Sequence, residues 1–226
     1  MSQNSALRTI YLASSSPRRR EIMGGVENRV EALDPSALEG PSRRSETPAE
    51  YVARLAIEKA DSMERPAPEG VLLTADTTVA LGDRTFGKPR TQDEARIMLN
   101  TLRGRTHSVL TGVSVRDLRT GMTVTEVKDS AVRMRDYTAG EIDRYLSTDT
   151  PLDRAGAYGV QDRCFSPVKA VEGCYLNVVG LPLCTVVKLI ERIGARVALS
   201  RPDRVPYLPS CSRCELDFQL DCRKGA

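Results

Sequence analysis

The apolar positions fall into short runs separated by polar punctuation. The first run, Leu7 to Ala13, holds Ile10, Tyr11 and Leu12 and stops at three serines, the pattern of a buried strand feeding a loop. Pro17 suits the first position of a following helix, where its missing N–H costs nothing, with Ser16 as the expected N-cap. Thr47-Pro48-Ala49-Glu50 reads as a capping box, and Tyr51, Val52, Leu55, Ala56 and Met63 follow at helical spacing, predicting a helix over 48–63. The same grammar at Thr91 to Glu94 and Thr138 to Glu141 predicts two more helices. Val71 to Leu81, Ser108 to Arg116 and Met122 to Met134 are rich in Val, Thr and Leu, so they predict strands, the last two forming a hairpin turned at Thr120-Gly121. A stripe of Leu183, Val186, Val187, Ile190 and Ile193 predicts a core helix over 181–193, ended by Gly194. Helices and strands interleave, so the fold class is α/β. After Arg201 three prolines, Pro202, Pro206 and Pro209, break every period; this places a domain at 1–200 and a tail at 201–226.

Composition narrows the function classes. A chain of 226 residues with 40% hydrophobic and 28% charged residues can bury a substantial core. A formal charge of +3, from 33 basic and 30 acidic residues, gives no global field for nucleic acid or an anionic membrane, so anion binding has to be local. No apolar run reaches the roughly 20 residues of a membrane span, and Met1 to Ile10 lacks the pattern of a secretory leader; the expectation is a cytoplasmic protein. Cys164, Cys174 and Cys184 read as reduced, packed thiols.

Candidate chemistry starts where the first strand ends. Ser14, Ser15 and Ser16 lead into Pro17-Arg18-Arg19-Arg20, and hydroxyls, turn N–H groups and guanidinium forks together suit an oligophosphate, although a solvated basic turn has the same composition. Asp76 interrupts a β-branched run, a costly place for a carboxylate unless it is paired or bound to metal. Lys88 stands between Gly87 and Pro89 in a turn, and Lys59 sits in the capped helix beside Ala56 and Ala60. His107 is the only histidine, which excludes a two-histidine zinc site and suits a structural hydrogen bond. No phosphate-loop or dinucleotide-fold glycine signature occurs, and the serines have no triad partners.

In order, Leu12 to Arg19, Leu55 to Ala60, Ala75-Asp76-Thr77, Gly87-Lys88-Pro89, Leu102 to His107, Thr111-Gly112, Ala155 to Gln161 and Val178 to Leu183 resemble the Maf family of nucleotide pyrophosphatases, over roughly residues 7 to 194. The resemblance implies a three-layer α/β fold with a long mixed twisted sheet, flanking helices and a central cleft. It implies hydrolysis of a nucleoside triphosphate to the monophosphate and pyrophosphate, with magnesium or manganese, by a homodimer. Carried over residue by residue, Ser14, Ser16, Arg18 and Arg19 hold the phosphates, Lys59 and Lys88 counter their charge, and Asp76 binds metal or activates water. Glu39 is the match for a second metal-binding carboxylate, with Asp34 next. Gln161, with Thr77, resembles the branch acting on dTTP and UTP; an amide offers a pyrimidine both donor and acceptor, where the 7-methyl-GTP branch carries glutamate. Asp162 to Pro167 replace a glycine-rich run of the family and are expected to reshape the base pocket.

Two other classes fit parts of the pattern. A non-enzymatic nucleotide-binding regulator of cell division does not need Asp76, Lys59 and Lys88 together, and a nucleotidyltransferase needs an acceptor pocket. In the tail, Cys211, Cys214 and Cys222 fall one ligand short of a four-cysteine zinc site, leaving zinc, a redox pair or an inert appendage open.

Overall fold

The computed structural model describes residues 7–35, 40, 43, 45–148 and 150–200. Its strands are β1 (Ile10–Ala13), β2 (Val30–Leu33), β3 (Val71–Leu81), β4 (Arg84–Phe86), β5 (Thr106–Asp117), β6 (Thr123–Met134) and β7 (Val168–Glu172). Its helices are α1 (Pro17–Met23), α2 (Pro48–Ser62), α3 (Gln92–Leu102), α4 (Ala139–Leu146), α5 (Tyr175–Val179) and α6 (Leu183–Arg192). The strands form one seven-stranded sheet in the order β2-β1-β3-β5-β6-β7, with β4 on β3. β1 runs parallel to both β2 and β3, and every other pairing is antiparallel, so the sheet is mixed.

The capping grammar predicts the helix starts correctly. Thr47 Oγ1 accepts from Glu50 N at 3.2 Å while Thr47 N donates to Glu50 Oε2 at 2.9 Å, and the same reciprocal box opens α4 at Thr138. At α3 only half the box forms, because Glu94 accepts from Arg90 N instead. Ser16 occupies the N-cap position of α1, but its side chain makes no cap bond; the turn is organised by Ser14, whose Oγ accepts Ser16 N at 3.2 Å. β2, β4, β7 and α5 escape sequence reading because they have five residues or fewer, too short to show a period.

Side-chain alternation along β3 divides the molecule into layers. Val71, Leu73 and Ala75 pack with Ile22, Leu176 and Leu189 in one core on the face carrying α1, α5 and α6. Further along the same face Val79 joins a second core with Leu99 of α3 and Ile142 of α4. Leu72 and Ala80 point the other way, toward Ala60 and Val52 of α2. The expected three-layer α/β architecture is therefore present, and the two cores on one face meet at the middle of β3.

Beyond α6 the chain still packs: Ser200 N donates to Gly25 O at 2.9 Å, and Val26 bridges Leu199. The 201–226 tail with Cys211, Cys214 and Cys222 lies outside the described residues. Cys174 and Cys184 are buried thiols as expected, whereas Cys164 is exposed, in a turn that presents it to solvent. Among the described residues no helix is long and apolar enough to cross a membrane.

Candidate functional site

The sheet has a notch. β5 pairs along almost the whole of β3, but on the opposite edge β1 ends at the Ala13–Thr74 pair and β4 begins only at Val79–Phe86. Ala75 to Thr78 are left with one unpaired edge, outside the carboxyl end of β1, the usual place for a ligand crevice in a sheet with parallel strands. A cleft of about 220 Å³ opens there, reaching from Ser14 and Arg18 through Asp76 to Gln161.

The floor of the cleft is a buried ion pair. Lys59 lies on the α2 stripe of Val52, Leu55, Ala56 and Ala60, so it faces the sheet, where its Nζ donates to Asp76 Oδ1 at 2.6 Å. The two side chains are 8% and 7% exposed. In such a pair each charge helps to neutralise the other, and removing one partner of a buried pair typically costs about 3–5 kcal/mol. Gly112, opposite Asp76 in β5, permits the approach: a Cβ there would stand 2.3 Å from Val52 O. Thr74 Oγ1 donates to Ala56 O at 2.6 Å and pins the same helix.

Arginines close the notch from the β1–α1 turn. Arg19 Nε donates to Gly180 O at 2.8 Å, Nη1 to Ala75 O at 2.9 Å and Nη2 to Thr77 Oγ1 at 3.0 Å. It thereby satisfies a carbonyl of the unpaired β3 edge and ties three segments together. Arg20 braces the turn through Ser14 O at 3.2 and 3.1 Å. Thr77 is equally engaged, with Thr111 Oγ1 at 2.9 Å and Gly180 O at 3.3 Å. Arg18, by contrast, reaches across to Asp153, donating to its backbone carbonyl at 2.9 Å, and Lys88 Nζ lies 2.5 Å from Asp153 Oδ1.

The far wall is built from residues 154–161. Gln161 lines the cleft and makes no hydrogen bond among the described residues. Arg154 lies over Gly159, where a Cβ would stand 1.7 Å from its guanidinium, and it pairs with Asp162 at 3.5 Å. Behind this wall Tyr158 OH meets His107 Nε2 at 2.7 Å. Burial lowers the His107 pKa to about 4, so the ring is neutral, and the structural role expected for it holds.

Ser14, Ser16, Arg18, Arg19, Lys59, Asp76, Thr77, Lys88 and Gln161 are thus brought to one cleft from five separate segments. Glu39 lies outside the described residues, and the cleft lining does not include Asp34. Nor does it include Asp162 to Pro167: Asp162 Oδ1 accepts from Cys164 N and Phe165 N, and Phe165 stacks on Tyr145 with centroids 4.2 Å apart. Phe165 packs into the α3–α4 core, and the run does not line the cleft directly. Sequence reading missed Asp153 and Arg154. Both immediately precede the Ala155-Gly156-Ala157-Tyr158 motif, and that adjacency was the only available signal.

The family described as Maf-like protein matches residues 9–193. A dTTP/UTP pyrophosphatase of Dehalococcoides mccartyi is 39% identical over 192 residues, covering 85% of each chain. Proteins of the same name from Syntrophus aciditrophicus and Bacillus pumilus are each 40% identical, covering 82% of this chain and 90% and 96% of their own. The similarity runs from the first strand through the last helix, across every segment that reaches the cleft, and the chain belongs to the Maf-like protein family.

Proposed function

We propose that this protein is a nucleoside triphosphate pyrophosphatase acting on dTTP, UTP or modified pyrimidine nucleotides. The observation that carries the reading is the charge of the cleft: Arg18, Arg19, Lys59, Lys88 and Arg154 surround only two carboxylates among the described residues, Asp76 and Asp153. An excess of guanidinium and ammonium groups at a sheet notch suits a polyphosphate, and the relatives named above are dTTP/UTP pyrophosphatases.

In the reaction, water attacks the α-phosphorus, the bond to the β-bridging oxygen breaks, and pyrophosphate leaves. Such transfers depend mostly on positioning and on stabilising charge as it moves onto the leaving oxygens. Arg18 and Lys88, which both meet Asp153 at the mouth, take the β- and γ-phosphates, with Ser14 and Ser16 contributing turn donors. Arg19 fixes the shape of the notch, since its guanidinium already bonds Ala75, Thr77 and Gly180. Lys59 holds the Asp76 carboxylate in position through the bond to Oδ1, leaving Asp76 to orient the water. Gln161 offers its free amide to the pyrimidine edge.

The donor set fits a hard divalent cation, because magnesium binds through one or two carboxylates plus phosphate oxygens and not through a protein cage. Asp76 would hold it, with Glu39 as second carboxylate; bound there, it neutralises phosphate charge and acidifies a water. The functional unit is a homodimer in the cytoplasm, and the catalytic domain spans residues 1–200.

The test is pyrophosphate release from canonical and modified triphosphates with magnesium or manganese, on the wild type and on Asp76→Asn. Release from dTTP and UTP, lost in Asp76→Asn, is the expected result. A wild type inert on every triphosphate, or an Asp76→Asn enzyme with full activity, sinks the reading. Equal rates on all bases remove the pyrimidine preference, and Gln161→Glu is expected to weaken dTTP and UTP turnover selectively.

A further inference from the structure

Three segments far apart in sequence meet at the mouth of the cleft. Lys88 follows β4, Arg18 stands in the first turn of α1, and Asp153 closes a 3-10 turn, Thr150–Asp153, that faces both. The Asp153 carboxylate divides its two oxygens between them: Oδ1 lies 2.5 Å from Lys88 Nζ, and Oδ2 lies 3.6 Å from Arg18 Nη2. Two non-bridging oxygens of one phosphate would divide themselves between the same two cations in the same way. No mechanistic step above uses Asp153.

We propose that Asp153 is an internal surrogate for a substrate phosphate, holding Lys88 and Arg18 in place in the free protein, yielding them to the incoming polyphosphate and reclaiming them as pyrophosphate leaves. This rests on reading the cleft as a triphosphate site. Exposure makes the exchange feasible. Lys88 and Asp153 are each 56% exposed, so water screens their attraction and the bridge opens at little cost. Partial burial raises the Asp153 pKa, but the Lys88 hydrogen bond and the charges of Lys88, Arg18 and Arg154 outweigh it and hold the carboxyl below its usual value. It therefore stays an anion at neutral pH. A tethered anion of single charge sets a threshold: ligands with several negative charges displace it, weakly charged ones do not. It also stops the multiply charged product from lingering, because the carboxylate competes with it for Lys88 and Arg18.

Asp153 is on this account a positioning residue, and its removal tightens binding, which loss of a structural tie would not do. Inorganic pyrophosphate is titrated calorimetrically into the wild type, Asp153→Asn, Asp153→Ala and the control Asp143→Asn, whose exposed carboxylate pairs with Arg96. Circular dichroism verifies that each is folded. Both Asp153 variants should bind pyrophosphate about fivefold more tightly, the factor expected from losing an exposed competing ion pair, with product inhibition of turnover tightened to match. Asp143→Asn should bind like the wild type. Unchanged or weaker binding in both Asp153 variants overturns the surrogate role while leaving the triphosphate site standing. Absence of pyrophosphate binding in every protein, wild type included, overturns both.

Discussion

Two lysine–aspartate bridges stand in one cleft with nearly the same length and opposite physical character. Lys59–Asp76 at 2.6 Å is almost wholly buried between α2 and β3, and Lys88–Asp153 at 2.5 Å is more than half exposed at the mouth. Distance does not separate them; the surrounding dielectric does. In the buried pair each ion has lost its water and depends on the other, so the geometry is rigid and breaking it is costly. In the exposed pair water replaces either partner, so the bridge is a resting arrangement that a ligand of higher charge can take over. A site that must hold an attacking group still while polyphosphates come and go has use for both.

The contrast can be broken most severely at the buried carboxylate. Asp76→Asn is expected to lower pyrophosphate release by at least about 100-fold, the scale of losing a charge-stabilising group in an active site, measured by steady-state turnover. Near-normal turnover would demote the buried pair to a structural tie. Lys59→Met leaves Asp76 without its ammonium and should cost about 3–5 kcal/mol in urea unfolding, while Lys59→Met with Asp76→Leu should recover most of that loss. If the double variant is no more stable than the single one, burial of the pair is not what sets its cost.

His107 sharpens the same point for a lone buried group. Its folded pKa of about 4 lies below the ordinary 6.5, so between those values the unfolded chain binds more protons. Its contribution is complete above pH 6.5 and is lost as pH falls toward 4. From pH 7.5 to pH 5 this amounts to about 2 kcal/mol, seen as a lower unfolding midpoint and largely absent in His107→Gln. A pH profile identical in the two proteins would contradict it. The smallest effect belongs to the exposed bridge: Lys88→Met should change unfolding free energy by less than about 1 kcal/mol, and a larger loss would mean that the mouth pair is structural.

Much of this architecture was legible in the chain. Threonine caps with glutamate three residues on marked the starts of α2, α3 and α4, because capping is a local hydrogen-bond problem solved within four residues. The long strands β3, β5 and β6 announced themselves by β-branched runs, and β3 has the predicted ends. Most of the cleft residues were equally visible, each in a motif of a few residues. What failed was whatever depended on a distant partner. Ser16 looked like the cap, yet Ser14 organises the turn, and the stacking of Phe165 on Tyr145 gave no local signal. Asp153 gave no sign beyond its adjacency to the Ala155-Gly156-Ala157-Tyr158 motif, because its partners are 65 and 135 residues away.

The sequence by itself determined the α/β class, the helix starts, the order of the site segments and the family they identify, since these follow from short-range periodicity, capping and motif. Only the tertiary structure decided which lysine is buried and which is exposed. Charge belongs to the residue, but the free energy of that charge depends on how much water the packed elements leave around it, and that is settled where α2 closes on β3 over Gly112.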